Sequence, residues 1–320
     1  MKAYELSLAT SGDQAMVAWH GGVAGPDAIF LQQLDSAGRP AGGPRQITDG
    51  QRYAYEPDLQ FIAGDALLAW YEKDVASGEL TAWLARTDRD GRNIWRRQLN
   101  AENGYARNPV VRISANIISV AWIENMKGQA PAVWAERFLA DGSPYGAPRR
   151  IGAASSDTWN LNATIDAAGT FYVTYDAQLG TQANELRLLT VHPDKVIDLT
   201  VSADDGFKSV YPDIGISESG MVALTWFDNR DRNEEIYLAI LPLADLLSAA
   251  SLPAVRITQT PGESIGAYLS WNGDRLALVW CDTLEEQKEL FLQLFIHGDS
   301  EGPARQLTRT PTESSIPSIR

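Results

Sequence analysis

Apolar runs capped by an aromatic residue recur along the chain, each followed by a polar stretch and a second apolar run. In Gly220 to Ile240, GMVALTWFDNRDRNEEIYLAI, the first run climbs to Trp226, polar residues fill Asp228 to Glu235, and the second run centres on Tyr237. This pattern predicts two antiparallel strands joined by a loop. The same device recurs as QAMVAWH, DALLAWY, ISVAWI, FYVTYD, MVALTWF and LALVWC, which carry Trp19, Trp70, Trp122, Tyr175, Trp226 and Trp280. Successive gaps are 51, 52, 53, 51 and 54 residues. A strand-built period near 50 predicts β-propeller blades, here six.

Each unit resolves into four strands, A to D. In the second, A is Asp58 to Ile62, B is Ala66 to Trp70, C is Leu80 to Arg86 and D is Arg96 to Leu99. The A to B turns carry Gly12, Gly64, Gly169, Gly220 and Gly273, with Asn116 in the third unit, as a tight reversal with positive φ requires. Strand C is marked by Phe30, Trp83, Trp134, Tyr237 and Phe291, with Arg187 the exception. Strand D reads RQIT, RRQLN, RRIG, IDLT, VRIT and RQLT, alternation that suits a short outer strand with one wet face. The expected architecture is one all-β domain, a six-bladed propeller of four-stranded antiparallel blades. Its repeats run at about 1–48, 49–100, 101–152, 153–200, 201–258 and 259–308. SIPSIR at the C-terminus repeats the strand A pattern, so 309–320 is expected to close the ring with the N-terminal strand Tyr4 to Leu8; a truncated seventh blade is the alternative.

Composition narrows the partners. A formal charge of −14 opposes nucleic acid and anionic membrane, because a phosphate backbone is met by clustered Lys and Arg. No apolar run is long enough for a transmembrane helix, and the start, MKAYELSLATSGDQ, lacks the core of a signal peptide, so a soluble chain without an export signal is expected. The single cysteine, Cys281, excludes internal disulfides and reads as a buried structural thiol. There is no HExxH, no Cys cluster, no phosphate loop and no G-x-S-x-G; the histidines are His20, His192 and His297, and the last two belong to C to D turns, away from His20. No metal or cofactor is expected.

The C to D turns LDSAGRP, TDRDGRNIW and LADGSPYG, together with Trp-x-acid after strand B, resemble the bacterial sialidase-like propellers. The resemblance implies the propeller architecture. The Asp-box of that superfamily, Ser-x-Asp-x-Gly-x-Thr-Trp, is not met, since Arg89 stands two before Gly91. A sialidase-like glycoside hydrolase would need three arginines on a carboxylate, a Tyr-Glu pair and an acid Asp, for which Arg52, Arg107, Arg230, Tyr211, Glu56 and Asp228 are the parts at hand.

In a repeat protein, what one unit alone carries is where function can lie. The loops between units and after strand B are expected on one face, at the channel mouth. They gather Tyr53, Tyr55 and Glu56, then Tyr105, Arg107 and Asn108, then Trp159, Asn160 and Asn162, then Tyr211, with Asp228 and Arg230 from a strand B to C loop. Aromatics interleaved with amides and charges suit a sugar ring or a peptide, whereas the plain alternative is loop aromatics packing on neighbouring blades. The carboxylates two residues after the strand B aromatic, Glu72, Glu124, Asp228 and Asp282, are either a ring of acids at one mouth or structural caps and ion-pair partners. Asp228 to Arg232 alternates oxygens like a calcium loop but lacks its Gly and Glu, which favours a solvated charged turn. Two functions follow as expectations: a propeller that binds glycan or protein through this face, or a sialidase-like glycoside hydrolase.

Overall fold

The computed structural model describes all residues except 1, 23–24, 102–103, 249–251, 285–286, 311–313, 315–316 and 320. Among the described residues the chain forms six antiparallel sheets, each in the order A-B-C-D, and the fold is a six-bladed β-propeller. The first blade pairs β1 (Lys2–Ser11), β2 (Gln14–Gly22), β3 (Ala28–Leu34) and β4 (Arg45–Gln46). The second holds β5 (Tyr53–Ile62), β6 (Asp65–Lys73), β7 (Leu80–Thr87) and β8 (Asn93–Gln98); the third holds β9 (Gly104–Ser114), β10 (Ile117–Met126), β11 (Ala132–Leu139) and β12 (Arg149–Ala153). The fourth holds β13 (Leu161–Ile165), β14 (Phe171–Ala177), β15 (Glu185–Val191) and β16 (Val196–Thr200), and the fifth β17 (Ser209–Ile216), β18 (Met221–Asp228), β19 (Glu235–Pro242) and β20 (Ala254–Arg256). In the sixth, β21 (Ser264–Asn272), β22 (Arg275–Leu284) and β23 (Gln287–Ile296) are followed by an outer strand split in two, β24 (Asp299–Ser300) and β25 (Arg305–Gln306), both on β23.

Two compact units emerge, residues 1–159 with 167–169, and residues 160–166 with 170–320. In each, the apolar layers lie between adjacent blades. Leu59, Leu68 and Trp70 pack with Ala18, Ile29 and Leu31, and Leu67, Leu84 and Trp95 pack with Val120, Trp122 and Phe138. In the second unit Leu186 and Leu188 pack with Leu224 and Trp226, and Ala223 and Ile236 with Leu278 and Trp280.

The repeated aromatics meet across the sheet. Strand B and strand C aromatics face each other in register as Trp19–Phe30, Trp70–Trp83, Trp122–Trp134, Trp226–Tyr237 and Trp280–Phe291. The rings of Trp19–Phe30, Trp226–Tyr237 and Trp280–Phe291 stack at 5.7, 5.8 and 5.9 Å, close enough for each pair to add to its burial. Where the fourth blade has Tyr175, its partner is Arg187.

Opposite each strand B Trp, strand A carries one residue too many. Register breaks separate Tyr4 from Ser7, Tyr55 from Asp58, Val210 from Asp213 and Ile265 from Tyr268, and in the third blade the break faces Trp122. Two residues therefore oppose one, a β-bulge. Its first residue adopts the left-handed conformation in all five: Glu5 (φ 49°), Glu56 (49°), Asn108 (50°), Tyr211 (55°) and Gly266 (61°). The fourth blade, with Tyr175 for Trp, pairs β13 and β14 without a shift. Two residues beyond the bulge, a polar side chain reaches the next blade. Ser7 Oγ accepts from Leu59 N at 3.1 Å, Asp58 Oδ2 from Val111 N at 2.7 Å, and Asp213 Oδ2 from Leu269 N at 2.9 Å.

The bulge corrects the sequence reading. Strand A of the second unit, expected from Asp58, begins at Tyr53, and Pro57, Pro109 and Pro212 each follow a bulge residue inside such a longer strand, where a missing N–H is tolerated. Tyr53, Tyr55, Glu56, Tyr105, Arg107, Asn108 and Tyr211 accordingly sit on strands A rather than in loops between units. Of the two readings of the acids two residues after the strand B aromatic, the structural one fits Glu72, Glu124 and Asp228. Trp70 Nε1 donates to Glu72 Oε1 at 3.0 Å, Trp122 Nε1 to Glu124 Oε2 at 2.9 Å and Trp226 Nε1 to Asp228 Oδ2 at 3.4 Å, so these carboxylates anchor the buried indoles. The C to D aspartates close their own turns: Asp35 Oδ1 accepts from Ala37 N and Arg39 N, and Asp88 Oδ1 from Asp90 N and Arg92 N. The A to B turns have the expected geometry, with Gly64 at φ 85° and Asn116 at 66°. Cys281 is buried, its thiol 3.5 Å from Ser314 O. Half of the closing strand expected at 309–320 lies outside the described residues, and no strand is assigned to the described ones there.

Glu124 offers a test of the indole anchors. It is 3% exposed and also accepts from Ala101 N at 3.3 Å, and a Cβ at Gly104 would lie 2.2 Å from its Oε1. Glu124→Ala strands a buried indole N–H, so we expect urea unfolding to show a loss of about 1–3 kcal/mol, with Glu124→Gln losing less than half as much. Equal stability of all three proteins contradicts the anchor role.

Candidate functional site

In the first unit, three adjacent blades turn Glu5, Glu56 and Asn108 out of the strand ladder at equivalent bulge positions. A bulge re-aims its side chain, and left-handed φ is favourable for Asn but strained for Glu. Glu56 stands at the centre of the group. Tyr71 Oη donates to its Oε1 at 3.3 Å, and the Asn108 amide donates to its Oε2 in a short hydrogen bond. Burial, and then the negative charge of Glu5, raise Glu56 to about 8, so it holds a proton at neutral pH. Burial and the neighbouring Glu56 push the Tyr71 phenol well above its usual range.

Glu5 faces a histidine. His20 Nε2 lies 3.0 Å from Glu5 Oε2, and its Nδ1 lies 3.6 Å from Asp27 Oδ2. The imidazole is walled by Tyr4 and Tyr55, each with its ring 5.4 Å away. Tyr55 continues to Tyr71 at 5.3 Å and stacks on Tyr53 at 6.2 Å. Burial, with Asp27 next, raises the Tyr55 phenol.

Beside Asn108, Arg107 is 6% exposed and donates through Nη2 to Thr158 O at 2.9 Å. Its guanidinium lies 4.3 Å from the Trp159 ring centroid, which leaves the outer face of a 47% exposed indole to solvent. Arg107 Nε and Asn108 Oδ1 are buried without a hydrogen-bond partner. Tyr53 and Tyr105 are exposed on the same two strands A that carry Glu56 and Asn108. Among the described residues, no group of three or more His, Cys, Asp or Glu is arranged to hold a metal ion.

Of the residues singled out in the sequence, Tyr53, Tyr55, Glu56, Arg107, Asn108 and Trp159 thus join through contacts in the first unit, with Tyr105 two residues along β9. The others belong to the second unit. Asn162 Nδ2 donates to Pro212 O at 3.0 Å, and Asn160 precedes β13 half-buried. Tyr211 is exposed and stacks on Phe227 at 5.1 Å. Asp228 is 0% exposed and receives Trp226, Ser209 and Arg230, so the turn read as solvated is anchored in the core; Asp231 pairs with Arg256 at 3.1 Å. Glu185 is raised to about 7 by burial, but with no exposed surface it serves the fold.

Sequence reasoning passed over Glu5, Asp27 and Tyr71, and placed His20 in a loop after strand B on the ligand face, whereas it lies within β2. A signal existed for Glu5, which precedes Glu56 by 51 residues, the step from Trp19 to Trp70.

No family model matches the chain, and neither does any curated protein sequence. Solved structures do. A PL25 ulvan lyase, bound to -[GlcA(1-4)Rha3S]-, superposes with TM-score 0.59 at 10% identity over 92% of this chain and 78% of that one. The α-L-arabinanase of Penicillium chrysogenum, complexed with arabinobiose, gives 0.56 at 12% over 92% and 93%. The phage phi92 endosialidase gives 0.51 at 12% over 91% of this chain and 54% of that one. At such identities the likeness is one of fold.

The protonated state of Glu56 is measurable through stability. A carboxyl whose folded pKa is about 8 against an ordinary 4.5 binds its proton more tightly when folded. Its contribution is therefore fully present below pH 4.5 and is lost as pH rises through 8. Glu56→Gln, which imitates the protonated acid, should match the wild type near pH 5 and exceed it in melting temperature at pH 9. Parallel curves for the two proteins across that range contradict the assignment.

Proposed function

We propose that the chain is a glycan-recognising β-propeller and that its ligand lies across the Glu56 group of the first unit. The observation that carries this reading is the indole of Trp159, exposed on one face and backed by Arg107 on the other, beside a buried amide and guanidinium with unfilled hydrogen-bonding capacity. A sugar offers a flat array of C–H groups to such an indole, and hydroxyls that both donate and accept for groups like Asn108 and Arg107. Tyr53, Tyr55 and Tyr105 extend the aromatic surface along two strands. The reading is supported by the saccharides named with two neighbours of the same fold, a GlcA–Rha3S repeat and arabinobiose. A protein ligand for the same face is the competing outcome.

The sialidase-like version of the hydrolase reading finds less support. Arg52 pairs with Asp74 at 3.4 Å and Arg230 with Asp228 at 2.6 Å, which leaves Arg107 as the arginine of the three without an ion pair.

Affinity electrophoresis in gels cast with arabinan, ulvan or pectin tests recognition. We expect retardation by at least one polymer and its weakening by about 1–3 kcal/mol in Trp159→Ala, with little change in melting temperature. Unaltered retardation of that variant, or no retardation of the wild type by any of the three, overturns the reading.

A further inference from the structure

We propose that Glu5 and Glu56 form an acid–base pair that hydrolyses a glycosidic bond of the bound glycan, Glu56 giving its proton to the leaving oxygen and Glu5 taking one from the attacking water. This deepens the glycan reading and rests on it. Equivalent bulge positions of adjacent blades carry the two carboxyl groups, yet their surroundings differ. Glu5 has an imidazole nitrogen 3.0 Å from Oε2, backed by Asp27, an arrangement that suits an ionised acceptor. Glu56 is enclosed by Tyr71 and Asn108 and retains its proton to about pH 8, raised by burial and by the Glu5 charge. Two neighbouring carboxyl groups, one enclosed by a phenol and an amide and the other set against an imidazole, offer the unlike surroundings that an acid–base division of labour requires.

Strain and unfilled polar groups point the same way. Glu is a poor choice for a left-handed φ, and the fold needs only a bulge there, as Gly266 shows in the sixth blade. Asn108, 7% exposed, holds Glu56 by Nδ2 while its Oδ1 has no partner, and Arg107 Nε beside it has none either. A sugar hydroxyl satisfies both types. Tyr71 is not prepared as a nucleophile, because its O–H donates to Glu56 and its proton is held well above the usual range.

The step balances without a co-reactant. As Glu56 protonates the glycosidic oxygen, the C1–O bond breaks and its electron pair stays on the leaving oxygen. Water adds to C1 and passes one proton to Glu5. The products are a reducing end and an alcohol, and solvent carries the proton from Glu5 back to Glu56.

Reducing-end release from arabinan, ulvan and pectin, read beside retardation in gels of the same polymers, separates this proposal from the reading beneath it. The wild type should bind one polymer and release reducing ends from it. Glu56→Gln and Glu5→Gln should each lower kcat by about 10²- to 10⁴-fold while retaining retardation and melting temperature at pH 5. Wild-type kcat should fall above pH 8. Glu5, His20, Tyr55, Tyr71, Arg107 and Asn108 are the groups that face Glu56 or its partners, and Tyr71→Phe should shift that limb while keeping most of the rate. Binding without reducing ends overturns the catalytic proposal and leaves recognition standing, as does full activity in Glu56→Gln. Ultraviolet-absorbing unsaturated ends also overturn it, since elimination would then replace hydrolysis. Absence of binding to all three polymers overturns both.

Discussion

The structure turns on a mismatch of two residues against one. Wherever strand B ends in Trp, strand A opposes it with an extra residue, and where Trp is replaced by Tyr175 the extra residue is gone. The bulge has two consequences at once. Two positions on, it presents Ser7, Asp58 or Asp213 to a backbone N–H of the next blade, a bond that locks neighbouring strands A in register. At its first residue it lifts a side chain out of the ladder. Five left-handed residues, four of them not glycine, are a cost that the packed blades on either side sustain.

A division of labour between carboxylates follows. Those two residues after the strand B Trp in blades two, three and five are buried with their indoles, and Asp228 has no exposed surface at all. Arg96 shows how completely such a site is consumed: it bonds Glu72 at 2.8 Å and lies 3.8 Å over the Trp83 ring. The bulge carboxyls differ because no indole or arginine closes over them. Glu5 has His20, whereas Glu56 has a phenol and an amide and is raised by its burial and by the neighbouring Glu5 in spite of the hydrogen bonds those two donate to it.

The architecture was legible because it is written six times: the period and the strand B aromatic recur in every blade, and the strand C aromatic and the glycine turn in all but one each. The site was legible only in part. Tyr53, Glu56, Arg107, Asn108 and Trp159 stood out as singular residues, but the bulge that groups them is invisible to a period-2 pattern, since it breaks that pattern. Glu-Pro, Asn-Pro and Tyr-Pro at one repeat position are its trace in the sequence. Glu5 lacks the Pro and was lost with it. Asp228 and Arg230 misled for the opposite reason, because a charged turn gives no sign in sequence that its first carboxylate is sealed beneath an indole.

The central claim is that Glu56 stays protonated at neutral pH beside Glu5. A ¹³C NMR titration of the glutamate side-chain carboxyl groups, assigned through Glu56→Gln, tests it directly. The account predicts a Glu56 midpoint of about 8 that falls in Glu5→Gln, because one of the two charges of the pair is then removed. A midpoint at the ordinary value of 4.5, or one indifferent to Glu5, contradicts it.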